Sequence, residues 1–121
     1  MYISNILSFD VSDNEADIIV SDGNYQMLCY AFPARSLKIG QCVKEIYCFA
    51  CSSTIKAKDC LYDIVKLPDF YAYFLTGRIL SKSHHTVIIG NITMHLDIPF
   101  HNDMRNGDYV SFRVQRLDAQ L

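Results

Sequence analysis

The sequence has no tryptophan, no excess of basic residues and no long hydrophobic run. A formal net charge of −2 gives no basic footprint, which argues against nucleic-acid binding dominated by phosphate contacts. No apolar run approaches the roughly 20 residues of a membrane-spanning helix, and no basic-then-apolar leader opens the chain. We therefore expect a cytoplasmic protein with no membrane partner.

Recognisable catalytic motifs are also missing. The chain has no Gly-x-Ser-x-Gly, no glycine-rich phosphate loop, no His-Glu-x-x-His and no paired carboxylates in an evident cleft. The sequence therefore predicts a protein that is not an enzyme and that uses no cofactor.

The chain does have enough apolar residues to form one folded domain, residues 1–121. Half of its residues are hydrophobic and a fifth are charged. Apolar and polar residues alternate in NITMHLDIP and in DYVSFRVQRL, which is typical of strands. Two-residue turn signals, Asp22-Gly23 and Gly90-Asn91, stand where hairpins need them. The pattern predicts an all-β fold of about eight strands.

Several landmarks recur in the same order about 67 residues apart. They are Gly23 with Gly90, Pro33 with Pro99, and Gly40 with Gly107. The recurrence predicts two quasi-repeats of about 50 residues, residues 1–50 and 70–118. Because four strands alone leave one sheet face uncovered, we expect the two units to form one barrel or sandwich.

A connector, residues 51–69, lies between the two units. Apolar residues at Leu61, Ile64 and Val65 fit a short helix that Pro68 would end, and they fit a short extended segment nearly as well. Both structures remain open at this point.

The second half, TGRILSKSHHTVIIGNITMHLDIPFHNDMRNGDYVSFRVQRLD, carries a Gly-containing strand around Gly77 and a later strand after Gly107-Asp108. This pattern resembles the oligonucleotide/oligosaccharide-binding (OB-like) small β-barrels. The resemblance implies binding of single-stranded nucleic acid or a small ligand on exposed strands. Arg113 is the one full positive charge among the outward positions expected there, so nucleic acid is the less favoured partner.

Matching Pro33 to Pro99 assigns faces in the first half. It places an apolar set on the outer face: Met27, Cys29, Ala31, Ile46 and Cys48. An apolar strand surface of this kind is usually covered by another segment of the chain or by a binding partner. Either the connector covers this face, or the face is a protein–protein interface, with self-association as one form of it.

The first half is also acidic, since residues 1–50 carry three Lys/Arg against six Asp/Glu. Asp13, Glu15 and Asp17 stand close together around the first two strands. An acidic loop suits a basic partner, although such a run can also serve only to keep a loop solvated.

A second set of polar residues is expected on one hairpin of the second half. Register across Gly90-Asn91 places Ile89 opposite Ile92, Thr86 opposite His95 and His84 opposite Asp97. His84, His95 and Asp97, with Arg113 on an adjacent strand, form the alternative ligand or nucleic-acid face. Two imidazoles and a carboxylate can act as metal ligands or as an acid–base pair. Three polar side chains are expected on a solvated strand face in any case, so we favour that explanation and expect no metal.

The five cysteines include one close pair, Cys48-Phe-Ala-Cys51. A structural zinc site needs four converging ligands, and a redox pair of the thioredoxin kind sits at a helix N-terminus. In an extended strand, positions 48 and 51 point to opposite faces. We therefore expect two separate reduced thiols, with Cys48 beside Cys29 on the outer face.

These observations lead to one main functional hypothesis. The chain is predicted to be a small protein-binding module, of the accessory, adaptor or inhibitor/immunity-like kind, that acts through its β-surface without catalysis. The alternative is OB-like binding of single-stranded nucleic acid or a small ligand.

Overall fold

The computed structural model describes all of residues 1–121 and contains strands, turns and loops but no helix. The all-β prediction is confirmed. No helix is present with the length and apolarity that crossing a membrane requires. The eleven strands are β1 (Tyr2–Asp10), β2 (Glu15–Ser21), β3 (Gln26–Ala31), β4 (Glu45–Phe49), β5 (Ile55–Lys56), β6 (Asp63–Lys66), β7 (Tyr73–Ser81), β8 (Thr86–Ile89), β9 (Ile92–Leu96), β10 (Tyr109–Val114) and β11 (Arg116–Gln120).

The strands form one mixed sheet in the order β1-β2-β3-β11-β4-β9-β8-β7-β10-β5, with β6 added to β7. The sheet is not closed into a barrel, so of the two expected arrangements, a barrel or a sandwich, the barrel is not formed. More strands appear than predicted because the connector contributes two and because the last strand divides at Gln115 into β10 and β11.

The two hairpin turns lie where the sequence places them. The turn at Asp22-Gly23 joins β2 to β3, and Gly23 has φ +97°, a conformation that favours glycine. At the second turn, Ile89 pairs with Ile92, which confirms the predicted register of β8 and β9.

Long-range pairs join the two halves at the centre of the sheet. β4 runs parallel to β9, and β11 runs parallel to β3, while β4 and β11 pair antiparallel between them. The strands that end each half are thus inserted into the sheet of the other half. The centre of the sheet is therefore built from segments far apart in sequence.

Each half also contains the same local hydrogen-bond pattern between its first strand and a later Gly-led segment. The N–H to C=O bonds are Gly40 to Ile3 (2.7 Å) and Ile3 to Gln41 (2.9 Å) in the first half, and Gly107 to Ile79 (2.8 Å) and Ile79 to Asp108 (2.8 Å) in the second. In the first half the Gly-led segment is followed by β4, which pairs with β9 of the other half. In the second half it is followed first by β10, which pairs with β7 of its own half, and then by β11, which pairs with β3 of the other half.

The connector is extended, so the helical alternative is wrong and the extended one is confirmed. β6 pairs antiparallel with β7 through Val65 opposite Phe74, and β5 pairs with β10. The open edges of β7 and β10 satisfy the backbone groups of this segment, and β-branched Ile64 and Val65 suit a strand.

One hydrophobic core of 27 buried residues runs through the molecule. It includes the three β3 residues that were expected on the outer face: Met27, Cys29 and Ala31. The prediction was wrong because Gly23 and Gly90 are 67 positions apart, whereas Pro33 and Pro99 are 66 apart. A slip of one residue exchanges the two faces of a strand. Aligned on the turn glycines, Met27 matches Met94, and both are fully buried.

Ile46 of β4 was also expected outside and is fully buried. Here the cause is a change of partner strand just before β4. The Val43 N–H donates to the Met1 carbonyl at 3.0 Å, whereas the Lys44 N–H donates to the Gln120 carbonyl at 2.8 Å. The irregularity between them breaks the alternation, so Val43 and Ile46 are both buried although they are three apart.

Candidate functional site

The polar residues predicted on one hairpin of the second half do not form one site. Thr86 pairs with His95 as expected, but strand pairing ends there and residues 82–85 form a turn. The expected pairing of His84 with Asp97 is therefore not made. The His84 ring instead contacts the Ser81 hydroxyl, with Nδ1 2.9 Å from Oγ.

Asp97 and Arg113 are each engaged elsewhere. The Asp97 carboxylate accepts the N–H groups of Ala50 at 2.7 Å and Cys51 at 3.0 Å. Burial works to raise its pKa, but the hydrogen bonds from Cys51 and Ala50 outweigh that effect and lower the pKa. Arg113 lies 3.8 Å from Asp69 in an exposed ion pair.

The acidic residues of the first half lie at the β1–β2 hairpin. Asp10, Asp13 and Glu15 bring carboxylate oxygens within 4.8 Å of one another. Asp10 orders the turn, because its Oδ1 accepts the Ser12 hydroxyl at 2.7 Å and the N–H groups of Ser12 and Asp13. Its negative charge raises the pKa of Asp13.

The cysteines are all free thiols. Cys48 lies in the core with Cys29 rather than on an outer face, so its predicted position was wrong for the same reason as that of Ile46. Burial raises the pKa of both thiols well above the ordinary value. The Cys51 thiol, at the end of the strand, points its Sγ at the Cys48 carbonyl at 3.8 Å.

The structure reveals a row of side chains across the centre of the sheet that the sequence-based face assignment missed. Cross-strand pairing runs from Asp17 on β2 to Tyr30 on β3, then to Asp118 on β11, to Tyr47 on β4 and to His95 on β9. Paired residues share one face of a sheet, and these side chains are exposed or half-buried. The row therefore lies on the solvent side.

Further residues extend this row into a surface that we call the aromatic–acidic face. It consists of Glu15, Asp17, Tyr30, Glu45, Tyr47, Phe49, His95, Asp97, Arg116 and Asp118. It carries five carboxylates and one guanidinium. Its local charge is strongly negative although the whole chain carries only −2.

The phenols on and beside this face are oriented by carboxylates. Tyr30 donates its hydroxyl to Glu15, and Tyr47 donates to Glu45 at 2.6 Å. The carboxylate partner raises the pKa of each of these two phenols, because it accepts the proton that ionisation would remove. Both phenols are therefore neutral at physiological pH, and these hydrogen bonds hold their rings in place.

Arg116 lies between two aromatic rings of the face. Its guanidinium carbon is 4.5 Å from the Tyr30 ring centroid and 5.1 Å from that of Phe49. Its Nε and Nη2 donate to the two oxygens of Asp118 at 2.6 and 3.2 Å, which raises the pKa of Arg116. This arrangement shows that the face accommodates a guanidinium between ring and carboxylate.

A cavity of about 200 Å³ lies next to Arg116 on the same face. Its rings are Tyr47, Phe49 and His95, and its carboxylates are Asp97 and Asp118. The His95 ring stacks on Tyr47 with centroids 4.9 Å apart, and its Nε2 is 3.4 Å from Glu45. Aromatic walls with carboxylates suit a cationic group.

Neither a protein-family model, nor a curated protein, nor a solved structure matches this chain.

Proposed function

We propose that the chain is a non-catalytic protein-binding module, of the accessory, adaptor or inhibitor/immunity-like kind, that binds a basic partner through its aromatic–acidic face. The observation that carries the proposal is the excess of carboxylates around exposed rings at the centre of the sheet. Asp13, Glu15 and Asp17 keep their predicted partner-binding role: Glu15 and Asp17 belong to this face, and Asp13 lies in the adjoining hairpin turn. Tyr30, Tyr47 and Phe49 take the role that was assigned to Met27, Cys29, Ala31 and Ile46.

The chemistry of the face favours arginine and lysine side chains. A guanidinium or ammonium over an aromatic ring gains about 0.5–2 kcal/mol, and a carboxylate beside it adds charge-assisted hydrogen bonds. Aromatic residues are also the commonest anchors of protein interfaces, where they contribute area at little entropic cost. The acidic hairpin would attract a basic partner over longer distances and raise its association rate.

The finer fold description belongs to the same proposal. We infer that residues 1–50 and 70–118 are two versions of one OB-like unit, whose last strands are exchanged between the halves. The support is the matching hydrogen-bond pattern at Gly40 and Gly107 and the matching parallel insertion of β4 and β11. On this account the aromatic–acidic face lies where the two units meet.

Charge argues against single-stranded nucleic acid as the ligand of this face. Proteins that bind single strands interleave aromatic rings with cations. Here the rings are interleaved with carboxylates, and Arg116 is already paired with Asp118. The four residues predicted for nucleic-acid binding in the second half do not form one basic surface. His95 and Asp97 line the cavity of the aromatic–acidic face, whereas His84 contacts Ser81 and Arg113 is paired with Asp69.

The test is fluorescence anisotropy with a labelled arginine-rich peptide, a length-matched glutamate-rich peptide and a labelled single-stranded DNA. We expect binding of the arginine-rich peptide that weakens with salt, and a loss of about tenfold or more in the double variant Tyr47→Ala, Phe49→Ala. The matched control is Ile39→Ala, Leu61→Ala, which removes two apolar side chains that are 62% and 68% exposed outside the face.

Two results would count against the proposal. An equal loss in both double variants would show that the face is not the site. Salt-sensitive DNA binding that Arg113→Ala abolishes, with no binding of the arginine-rich peptide, would favour the nucleic-acid alternative. In an affinity pull-down, a natural partner should be captured by the wild-type chain and by the Ile39→Ala, Leu61→Ala control, but not by the Tyr47→Ala, Phe49→Ala variant.

A further inference from the structure

The largest groove in the molecule lies on the second half, between the turn at residues 82–85 and the loop at 99–106. Its volume is about 840 Å³, within the range of small-molecule sites. It shares no residue with the aromatic–acidic face. The lining residues are Lys82, Ser83, His85, Pro99, Phe100, Asn102, Met104, Arg105 and Asn106.

Hydrogen bonds tie the two walls of the groove together. The Lys82 N–H donates to the Asn106 side-chain oxygen at 2.7 Å, and the Lys82 ammonium donates to the Asn102 carbonyl at 3.1 Å. Arg105 is fixed through its backbone, whose N–H donates to Asp108 at 3.0 Å. The groove is thus largely formed before any ligand arrives.

The charges of the groove are of one sign. Lys82 and Arg105 line it, no carboxylate does, and neither cation takes part in an ion pair. The nearby Asp103 is engaged with Lys56 at 3.7 Å, and Asp108 with the Arg105 N–H. No carboxylate therefore neutralises either charge, and the Lys82 ammonium, which donates one hydrogen bond to the Asn102 carbonyl, has further N–H groups for an anion.

Polar donors and an apolar floor complete the groove. Ser83, Asn102 and Asn106 supply a hydroxyl and two amide groups, which can donate to the oxygens of a phosphate. Phe100 and Met104 are buried and form the floor. The combination suits a molecule with an anionic head and an apolar body.

We propose that this groove binds a small organic phosphate of about nucleotide size. Lys82 and Arg105 hold the phosphate, the amide and hydroxyl groups orient it, and the apolar body of the ligand covers Phe100 and Met104. The proposal does not depend on the protein-binding role of the aromatic–acidic face.

The experiment is a two-dimensional NMR titration of the ¹⁵N-labelled chain with adenosine monophosphate, adenosine, inorganic phosphate and a short single-stranded DNA. We expect saturable shifts at the amides of Lys82, Ser83 and Asn106 with adenosine monophosphate, and weaker effects with adenosine or inorganic phosphate. Arg105→Met should weaken binding about tenfold or more, because the phosphate loses a charged hydrogen-bonding partner. Arg105 is exposed, so we expect the fold to tolerate the substitution.

The matched control is Lys38→Met, which makes the same charge change at an exposed site of the first half. It should leave the affinity within about twofold of the wild type. The proposal is overturned if adenosine monophosphate causes no saturable shift in the groove, or if Lys38→Met weakens binding as much as Arg105→Met. It is also overturned if only the DNA binds there, which would make the groove a nucleic-acid site.

Discussion

The aromatic–acidic face and the groove of the second half have opposite chemistry. The face carries five carboxylates against one guanidinium that is already paired, whereas the groove carries two unpaired cations and no carboxylate. A net charge of −2 conceals both surfaces, because the positive charges of the groove offset only part of the excess negative charge of the face. Ligand class therefore depends on the local arrangement of charge rather than on the total.

Asp22 joins the hairpin turns of the two halves, because its carboxylate accepts hydrogen bonds from both turns. Its Oδ1 accepts the N–H groups of Asn24 and Tyr25 in its own turn, at 2.8 and 2.7 Å. Its Oδ2 accepts the Asn91 N–H of the other turn at 2.7 Å. We expect a change at this contact to lower the free energy of unfolding more than the other substitutions considered below.

The strongest perturbation should be Gly90→Ala. Gly90 has φ +60°, and a Cβ there would lie 2.5 Å from both Asp22 Oδ2 and Tyr25 Cδ2. We expect the free energy of unfolding to fall by about 2–4 kcal/mol, from backbone strain together with the displaced contact. Urea denaturation measures it.

Gly23→Ala is the control for this variant. Gly23 has φ +97° but has open space around it, so only the backbone strain of about 1–2 kcal/mol should appear. If the two variants lose the same stability, the contact between the hairpins contributes nothing.

A smaller loss is expected from Asp22→Asn, because an amide cannot accept every N–H that the carboxylate accepts. The free energy of unfolding should fall by about 1–2 kcal/mol at pH 7. Asp103→Asn, which removes a carboxylate from a well-exposed ion pair, should change it by less than about 0.5 kcal/mol.

The Asp22 contribution should also depend on pH. Burial works to raise the pKa of Asp22, but the N–H groups of Tyr25, Asn91 and Asn24 outweigh it and lower the pKa below 3.8. A lowered folded-state pKa stabilises the protein above the unfolded value and loses that effect as the pH falls through the folded value. The stability difference between wild type and Asp22→Asn should therefore shrink below about pH 4. A difference that grows on acidification would contradict this account.

A binding effect of moderate size is expected from Arg116→Met. The substitution removes the only guanidinium of the aromatic–acidic face and opens the space between Tyr30 and Phe49 to a guanidinium of the partner. Affinity for an arginine-rich peptide should rise about three- to tenfold. Arg113→Met makes the same charge change outside the face, and an equal rise there would mean that only net charge matters.

The smallest perturbation is a measurement of thiol reactivity, because it requires no substitution in the chain. Cys42 and Cys60 are exposed and should react quickly with a thiol reagent, whereas Cys29 and Cys48 should react only on unfolding. Rapid reaction of either buried thiol would restore the original face assignment and remove the basis for the aromatic–acidic face.

The sequence predicts what depends on local pattern. The all-β class and the register of Ile89 opposite Ile92 follow from alternation and turn residues. The connector was ambiguous because a short apolar run fits a helix and a strand equally well, and only the open edge of β7 decides between them.

The candidate site depends on contacts that local pattern does not encode. Tyr30, Asp118 and Tyr47 become neighbours through one parallel and one antiparallel pairing between distant segments. One signal was available in the sequence: the face assignment that placed Ile46 and Cys48 outward also placed the charged Glu45 inward, and the structure shows Glu45 exposed. The change of partner strand before β4 explains this misfit. A face assignment that placed Glu45 outward would have placed Tyr47 and Phe49 outward as well.

The most direct test of the central claim is an NMR titration of the ¹⁵N-labelled chain with a short arginine-rich peptide. The account predicts saturable shifts confined to strands β2, β3, β4, β9 and β11, centred on Tyr30, Tyr47 and Phe49, with the amides of the groove unaffected. Shifts absent from these strands, or centred on Lys82 and Arg105, would contradict it.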